Sequence, residues 1–474
     1  MADQLDENLN EHAAAQDSAR PSPLAADDQF DPAFVEAVIE SLDRGETARA
    51  QELVDPLHPA NVADLFEALD GEHRRLLAAA LGPKLDGDVL AEMNDWVRDD
   101  LIDALAPHEV ADLATQLDTD DAVAIIEDLE ADEQRAVLRA MPADDRAAIE
   151  EALSYPEESA GRLMQRELIA VPEHWTVGQV IDYLRENPDL ATDFWEIFVV
   201  DPGHKPVGTM KLSWVLRTPR RIAVADVMQR EQTLIPVDMD QEEVALRFQK
   251  YALISAAVVD RSGRLVGMIT VDDIVHIIQE EASEDILKMS GAGDGDINEP
   301  VLDSYKQRIR WLITNMGTAL LSTVIITQFE GTIARMVALA TLMPVVSALG
   351  GNAGTQTMAV AVRALATNQL TTSNQMRTIV KEISVALLNG STLAVLLGAG
   401  VALVFSNAML GVVIGMAMII NNLAAGIAGT LIPLGLERAR IDPAVASPVF
   451  VTALTDCMGF FVFLGLATAF NVSP

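Results

Sequence analysis

Between Glu382 and Glu437 the chain runs for 54 residues without a charged side chain. A bilayer core takes about 20 apolar residues per helix, so this tract predicts two membrane-crossing helices. Ser406 and Asn407 mark the turn between them. Three more apolar segments flank it: Trp311 to Phe329, Met336 to Val362 and Ala444 to Phe470. Residues 311–474 therefore read as an all-α transmembrane domain of five helices.

The rest of the chain has the opposite character. Of 71 acidic and 33 basic residues, only five and six lie beyond Arg310, so residues 1–310 carry a formal charge of −39. Such a surface repels nucleic acid and anionic lipid and draws cations to itself. The single cysteine, Cys457, excludes an intrachain disulfide framework. Residues 1–30 are polar and acidic and read as a disordered tail without a secretory leader. Lys306, Arg308, Arg310, Arg363, Arg377, Lys381, Arg438 and Arg440 all fall on one side of the spans, against Arg335 alone on the other. Positive charge stays inside, which predicts a multi-pass protein of the cytoplasmic (inner) membrane with its N-terminal half in the cytoplasm and its C-terminus outside.

Asp456 is the only charged residue after Asp442. A carboxylate at the middle of a span costs about 2.5–3.5 kcal/mol on insertion scales and persists where it meets a bundle interior, a partner or water. It is either a neutral, hydrogen-bonded interior group or a cation site. The second span carries Pro344 and then Gly350-Gly351-Asn352-Ala353-Gly354-Thr355-Gln356. Irregular backbone of this kind is tolerated in a membrane where it is buried in protein or lines a wet cavity. Close packing of small residues would explain the glycines, but it explains Asn352 and Gln356 less well. Asn421 and Asn422 suit interhelical hydrogen bonding as readily as a pore wall.

Two repeats organise the acidic half. Leu57-His-Pro59-Ala-Asn-Val-Ala-Asp64-Leu65 returns as Leu105-Ala-Pro107-His-Glu-Val-Ala-Asp112-Leu113, with a looser copy at Met141-Pro142, and each proline suits a helix start. Residues 31–154 are thus α-helical, as a stack of helix pairs or a plain bundle. The second repeat is shifted by 59 residues: Val199-Val200-Asp201 through Val207-Gly208 matches Val258-Val259-Asp260 through Val266-Gly267. Each copy reads as strand, glycine turn, strand and helix.

These two copies resemble paired CBS modules, an α/β fold, over residues 155–222 and 223–283. The second continues Gly267-Met-Ile-Thr270-Val-Asp-Asp273, similar to that family's ribose-binding pattern, whereas the first has Lys211 and Trp214 at the matching places. The resemblance implies at most one adenosine-nucleotide site per chain, with ATP held through Thr270 and Asp273. After it comes Gln279-Glu280-Glu281-Ala282-Ser283-Glu284-Asp285, where Glu281 and Glu284 stack on one helix face. That face is either solvated or bridged by cations.

Taken together, over about residues 31–471, the chain resembles the MgtE family of magnesium channels. The landmarks are Tyr155-Pro-Glu-Glu-Ser-Ala-Gly-Arg-Leu-Met164, the Glu-Glu-Ala-Ser-Glu-Asp linker, Gly-Gly-Asn-x-Gly-x-Gln, and Thr455-Asp456 in the last span. The resemblance implies a homodimer with its pore on the two-fold axis and Mg2+ uptake closed by cytosolic Mg2+. It implies a plug helix over residues 284–310 and Mg2+ at Asp456 and Thr452 in a pore lined by Gly350, Gly351 and Asn352. Regulatory Mg2+ would fall at Asp240, Glu242, Asp273, Glu281, Glu284 and Asp285. Ala252 and His276 stand where some relatives carry acids, which leaves the number of regulatory ions open. A coupled divalent-cation transporter or exporter is the nearest rival. A membrane-tethered nucleotide sensor, or an intramembrane aspartyl protease built from two Asp456 carboxyls, is more distant.

Overall fold

The computed structural model describes residues 23, 30–188, 190–191, 194–292, 295, 299–371 and 373–472. Apart from Pro23 and Phe30, the acidic tail lies outside the described residues. The chain divides into two compact units, residues 1–278 and 279–474.

In the first unit, short helices from α1 (Pro32–Asp43) to α10 (Ala143–Ala152) share one apolar core that includes Phe34, Leu65, Phe66, Leu101 and Ile126. The repeated prolines start helices as expected. Pro59 and Pro107 open α3 (Pro59–Ala68) and α7 (Pro107–Ala114), and Pro142 caps α10. Proline loses nothing there, because the first N–H of a helix has no intrahelical partner. Of the others, α8 (Thr119–Glu127) matters below: Asp118 is its N-cap, and Asp120 and Asp121 lie in its first turn.

Two small sheets follow. Each has three strands, in the orders β1 (Ala170–Pro172), β2 (Glu196–Val200), β3 (Pro206–Lys211) and β4 (Leu234–Pro236), β5 (Ser255–Val259), β6 (Leu265–Thr270). In both, the first pair is parallel and the second antiparallel. The 59-residue repeat is visible in the register, where Val199 faces Gly208 as Val258 faces Gly267, with a bulge just after each valine. Phe198 and Val200 of one sheet pack with Ala257, Leu265 and Met268 of the other. The turn between the paired strands is shaped less by glycine than the sequence suggests. Asp201 accepts from the Gly203 and Lys205 N–H groups, as Asp260 does from Ser262 and Arg264. The left-handed residue is Gly263 in the second copy (φ +80°) but His204, not Gly203, in the first (φ +61°). Helices α11 (Val177–Glu186), α12 (Leu212–Arg217), α13 (Val224–Val227) and α14 (Gln241–Tyr251) complete the pair.

The helix after β6 corrects an expected boundary. Residues 284–310 do not form one linker helix. Residues up to Ser290 continue α15 (Val271–Ser290), and those from Val301 open α16 (Val301–Thr327). Gly291 breaks the first with φ +68°, in a place where any Cβ would run into the Trp311 ring, and Pro300 caps the second. Because nothing between Val301 and Trp311 interrupts helical hydrogen bonding, the first span and its basic approach are one helix.

The second unit holds α16, the short α17 (Glu330–Arg335), α18 (Ala338–Ala366), α19 (Gln375–Val404), α20 (Ala408–Arg438) and α21 (Pro443–Ala469). Four of these, α16, α19, α20 and α21, are long and apolar enough to cross a membrane. The other long helix, α18, has the length, but its Gly-Gly-Asn-Ala-Gly-Thr-Gln run dilutes its apolar character. The turn expected at Ser406 and Asn407 is present: Ser406 is left-handed and Asn407 caps α20 through the Leu410 N–H. α20 is the most buried of the spans, and α16 and α19 are largely exposed.

Candidate ion path and acid sites before the first span

Asp442 starts the helix that carries Asp456. Its Oδ1 accepts the Ala444 N–H at 2.7 Å, with Pro443 in the first turn. Pro448 then removes a backbone donor inside the helix. Thr455 Oγ1 bonds back to the carbonyls of Val451 and Thr452, each at 3.0 Å. The Thr452 carbonyl is thereby engaged, and its exposed side chain leaves the hydroxyl as the group that can meet an ion's water shell. Four residues on, and so on the same face, Asp456 is half-buried, and its Oδ1 accepts a hydrogen bond from Ser347 of α18. Ser347 lies between Pro344 and the Gly350–Gln356 motif, and nothing in the sequence distinguishes it from its neighbours.

On α18, Pro344, Ala348 and Asn352 follow one another at helical spacing, and Asn352, Thr355 and Gln356 are exposed. Gly351 is open as well, with nothing near enough to meet an added Cβ. Gly350 is not part of that face. It is buried against α20, where a Cβ would overlap Asn421 Nδ2. Its expected place in a pore wall gives way to a packing role, since only a residue without a Cβ lets α18 and α20 approach so closely. Asn421 itself is fully buried and donates to the Val346 carbonyl at 3.1 Å, and Asn422 donates to Met418 within its own helix. Both asparagines are interior groups that hold helices rather than line an open face.

The acids before the first span fall into separate places. Asp240 caps α14 by accepting the Glu242 N–H at 3.0 Å. Asp273 is half-buried and takes the Thr270 hydroxyl at 2.6 Å. Opposite lies an acid the sequence does not reveal, Asp120 of α8, which is buried with its Oδ1 unpartnered. Burial first, then the charge of Asp273, pushes the Asp120 carboxyl well above its ordinary range. Burial also raises Asp273, held back by the Thr270 hydroxyl and by a hydrogen bond with Asp120. Asp121 is pushed up to about 7 by burial and then by Asp273. In sequence Asp118, Asp120 and Asp121 look like ordinary acids favouring a helix N-terminus, so nothing marks them for a site. Thr119 anchors this helix end by donating to Glu167 at 2.8 Å.

The pair expected to read a ribose, Thr270 and Asp273, is therefore turned onto itself and onto Asp120. The open cleft of the CBS pair, about 550 Å³, lies at the repeat-related position, with Lys211, Arg230, Tyr251 and Ser255 among its walls. Ala252, also on that wall, is left-handed at φ +50°.

In the second unit, Glu284 pairs with Lys288 on the next turn, and Lys288 Nζ reaches Asp442 Oδ2 at 3.3 Å. Asp285 is raised by burial and then by Asp442. Glu281 lies one turn before Asp285 on α15. Among the described residues, no three His, Cys, Asp or Glu side chains converge tightly enough to hold a bare ion. Mg2+ usually keeps several waters and is held through one or two carboxylates, so pairs such as Asp120 with Asp273 match its habit better than a closed cage would.

These buried acids have a consequence for stability. Asp121 keeps its proton in the folded chain up to about pH 7 but loses it near pH 4 when unfolded. A raised carboxyl of this kind contributes stability that is complete below the unfolded value and is lost as pH rises through the folded one. The metal-free unfolding transition of the first unit, followed by circular dichroism on the full chain in detergent, should weaken by roughly 1–3 kcal/mol between pH 5 and 8. Mg2+ should restore more of that loss at pH 8 than at pH 5, because protons compete for the same oxygens. Equal stabilisation at both pH values would mean these carboxyls do not meet the ion.

Comparison with known proteins agrees with this layout. Residues 343–466 match the family model MgtE, described as a divalent cation transporter. Residues 57–158 match the MgtE intracellular N domain, and residues 224–280 match the CBS domain. The magnesium transporter MgtE of Thermus thermophilus is 31% identical, covering 90% of this chain and 96% of its own. That of Bacillus subtilis is 29% identical over 90% and 95%. Among solved structures, the cytosolic domain of the Mg2+ channel MgtE in complex with ATP is 30% identical, over 51% of this chain and 99% of that one, with a TM-score of 0.48. A helical N-terminal domain, a CBS pair and a bundle of apolar helices follow one another in a chain that its Thermus relative matches almost end to end, and the chain belongs to the MgtE family.

Proposed function

We propose that two copies of this chain form a channel that admits Mg2+ down its electrochemical gradient, with Asp456 of each copy as the central ion contact. The observation that carries this reading is the setting of Asp456. It is a single carboxylate within an uncharged helix, steered by Ser347 and on the same helix face as the exposed Thr452. α18, which supplies Ser347, also exposes Asn352, Thr355 and Gln356. Polar groups at membrane depth are costly against lipid. A second copy laid over these faces would remove that cost and enclose a wet path. Two carboxylates and two threonine hydroxyls suit an ion that gives up its waters reluctantly. The relatives' name, magnesium transporter, supports Mg2+ as the cargo.

Closure would come from the cytosolic acids. At low internal Mg2+ no divalent ion bridges the crowded acids at Asp120 and Asp273, or those at Glu281, Glu284 and Asp285. Bound Mg2+ draws them together and favours the closed conformation, so the ion acts through its different affinity for two states. The eight basic residues near the span ends support a cytoplasmic position for these acids. An adenosine nucleotide is a second modulator in this scheme, supported by the ATP complex of the solved relative. At Thr270 and Asp273 it would have to displace Asp120, so nucleotide and helical domain would compete there. The test is Mg2+ entry into liposomes containing only this chain, with internal Mg2+ stepped from low to high. Entry that falls as internal Mg2+ rises supports both parts, and entry indifferent to it would leave a pore without feedback.

A further inference from the structure

Lys288, in the last turn of α15, is seated between two carboxylates. Its Nζ pairs with Glu284 and lies 3.3 Å from Asp442 Oδ2. The two oxygens of Asp442 have separate tasks, since Oδ1 caps the helix that carries Asp456. Asp285 adds a third acid, raised by burial and by Asp442. Burial alone would lower the Lys288 ammonium, yet Glu284 and Asp442 hold it above its ordinary value. Two carboxylates thus hold one ammonium with a third acid nearby, and the cluster stays net negative. Met289 beside it packs with Met358, Ala444 and Val451, so the end of α15 rests on α18 and α21.

We propose that Lys288 is a built-in competitor of Mg2+: its ammonium occupies the place between Glu284 and Asp442 that a hydrated divalent ion would take, and so sets the Mg2+ level at which α15 locks onto α21. This rests on the feedback reading above. A lysine is a point charge on a flexible stem, and a third of this side chain is exposed, which gives it a way out to water when an ion arrives. One partly solvated ammonium holds two carboxylates weakly. A doubly charged ion in the same place holds them harder. The lysine therefore keeps the junction loosely joined when Mg2+ is scarce and makes tight joining demand more Mg2+.

Lys288→Met retains most of the stem and removes the charge, and Lys288→Arg keeps the charge. Mg2+ is titrated calorimetrically into the full-length chain in detergent, and Mg2+ entry into liposomes is measured against stepped internal Mg2+. The methionine variant should bind Mg2+ about fivefold tighter, with the inhibition midpoint lowered by the same factor. The arginine variant should stay near wild type. Asp442→Asn should weaken binding, alone or in the methionine background. Unchanged or weaker binding in Lys288→Met overturns the proposal. Should that variant not fold, unchanged binding in Asp442→Asn overturns it equally. If wild type is not inhibited by Mg2+ but Lys288→Met still binds more tightly, the feedback reading fails and the competition stands. If wild-type inhibition is intact and binding does not tighten, the competition alone fails.

Discussion

Asp456→Ala is expected to cut Mg2+ entry about a hundredfold or more while the chain remains folded and keeps its oligomeric state. In a two-fold pore the substitution removes two charge-assisted contacts at once. At roughly 1.5 kcal/mol each, their loss amounts to about two powers of ten in occupancy. The fold should survive, because the carboxylate is half-buried and its hydrogen-bond partner is Ser347, whose hydroxyl can turn to a backbone carbonyl instead. Asp456→Asn separates charge from shape: an amide fills the same space and can keep a hydrogen bond with Ser347, but it offers the ion no charge. It too should conduct poorly. Entry at the wild-type rate in both variants, with expression and oligomeric state matched, would place the ion path elsewhere.

Neutralising Glu281, Glu284 and Asp285 together should give a channel that stays open at internal Mg2+ levels that shut the wild type, with the inhibition midpoint raised about tenfold. Two effects oppose each other. The acids can no longer be bridged by Mg2+, which favours opening, and their mutual repulsion is gone, which favours closure. The structure bears on which prevails. Glu284 is already paired with Lys288, which also reaches Asp442, so the ion-free repulsion at this junction is modest. Loss of the ion bridge then outweighs loss of the repulsion. The triple change also frees Lys288 to hold Asp442 alone, which limits the effect to a shift rather than a complete loss of closure. Patch recordings with stepped cytosolic Mg2+ measure the midpoint, and an unshifted curve would make these three acids a solvated face.

The membrane helices and the CBS repeat are legible in the sequence because their signals are coarse and periodic. A charge-free tract has few fates, and a 59-residue repeat carries its strand register with it. Asp456 is legible for the same reason, as one charge against an apolar background. Other features depend on contacts between distant parts of the chain, and sequence spacing does not encode those. Asp120 resembles any acid in a first helical turn until α8 is placed against Asp273. Gly350 and Gly351 are neighbours in one motif, yet a rotation of about 100° per residue sends one into Asn421 and leaves the other open. The end of α15 departs from the expected linker helix because Gly291 and Pro300 act as a stop and a start, which the charge pattern of that stretch does not show. The dual use of Asp442, cap on one oxygen and lysine partner on the other, is a property of the folded junction alone.

Whether Mg2+ passes through this chain unaccompanied is decided most directly by reconstitution. Purified protein in liposomes loaded with a Mg2+-sensitive dye is given an inward Mg2+ gradient with no gradient of protons or sodium, and the membrane potential is set by a chosen potassium gradient with a potassium ionophore. A channel of the proposed kind gives entry whose initial rate follows the Mg2+ electrochemical gradient, grows when the interior is made negative, and vanishes with Asp456→Ala. Entry that appears only when a second ion gradient is imposed, in fixed proportion to that ion's movement, would contradict it and make the chain a coupled transporter.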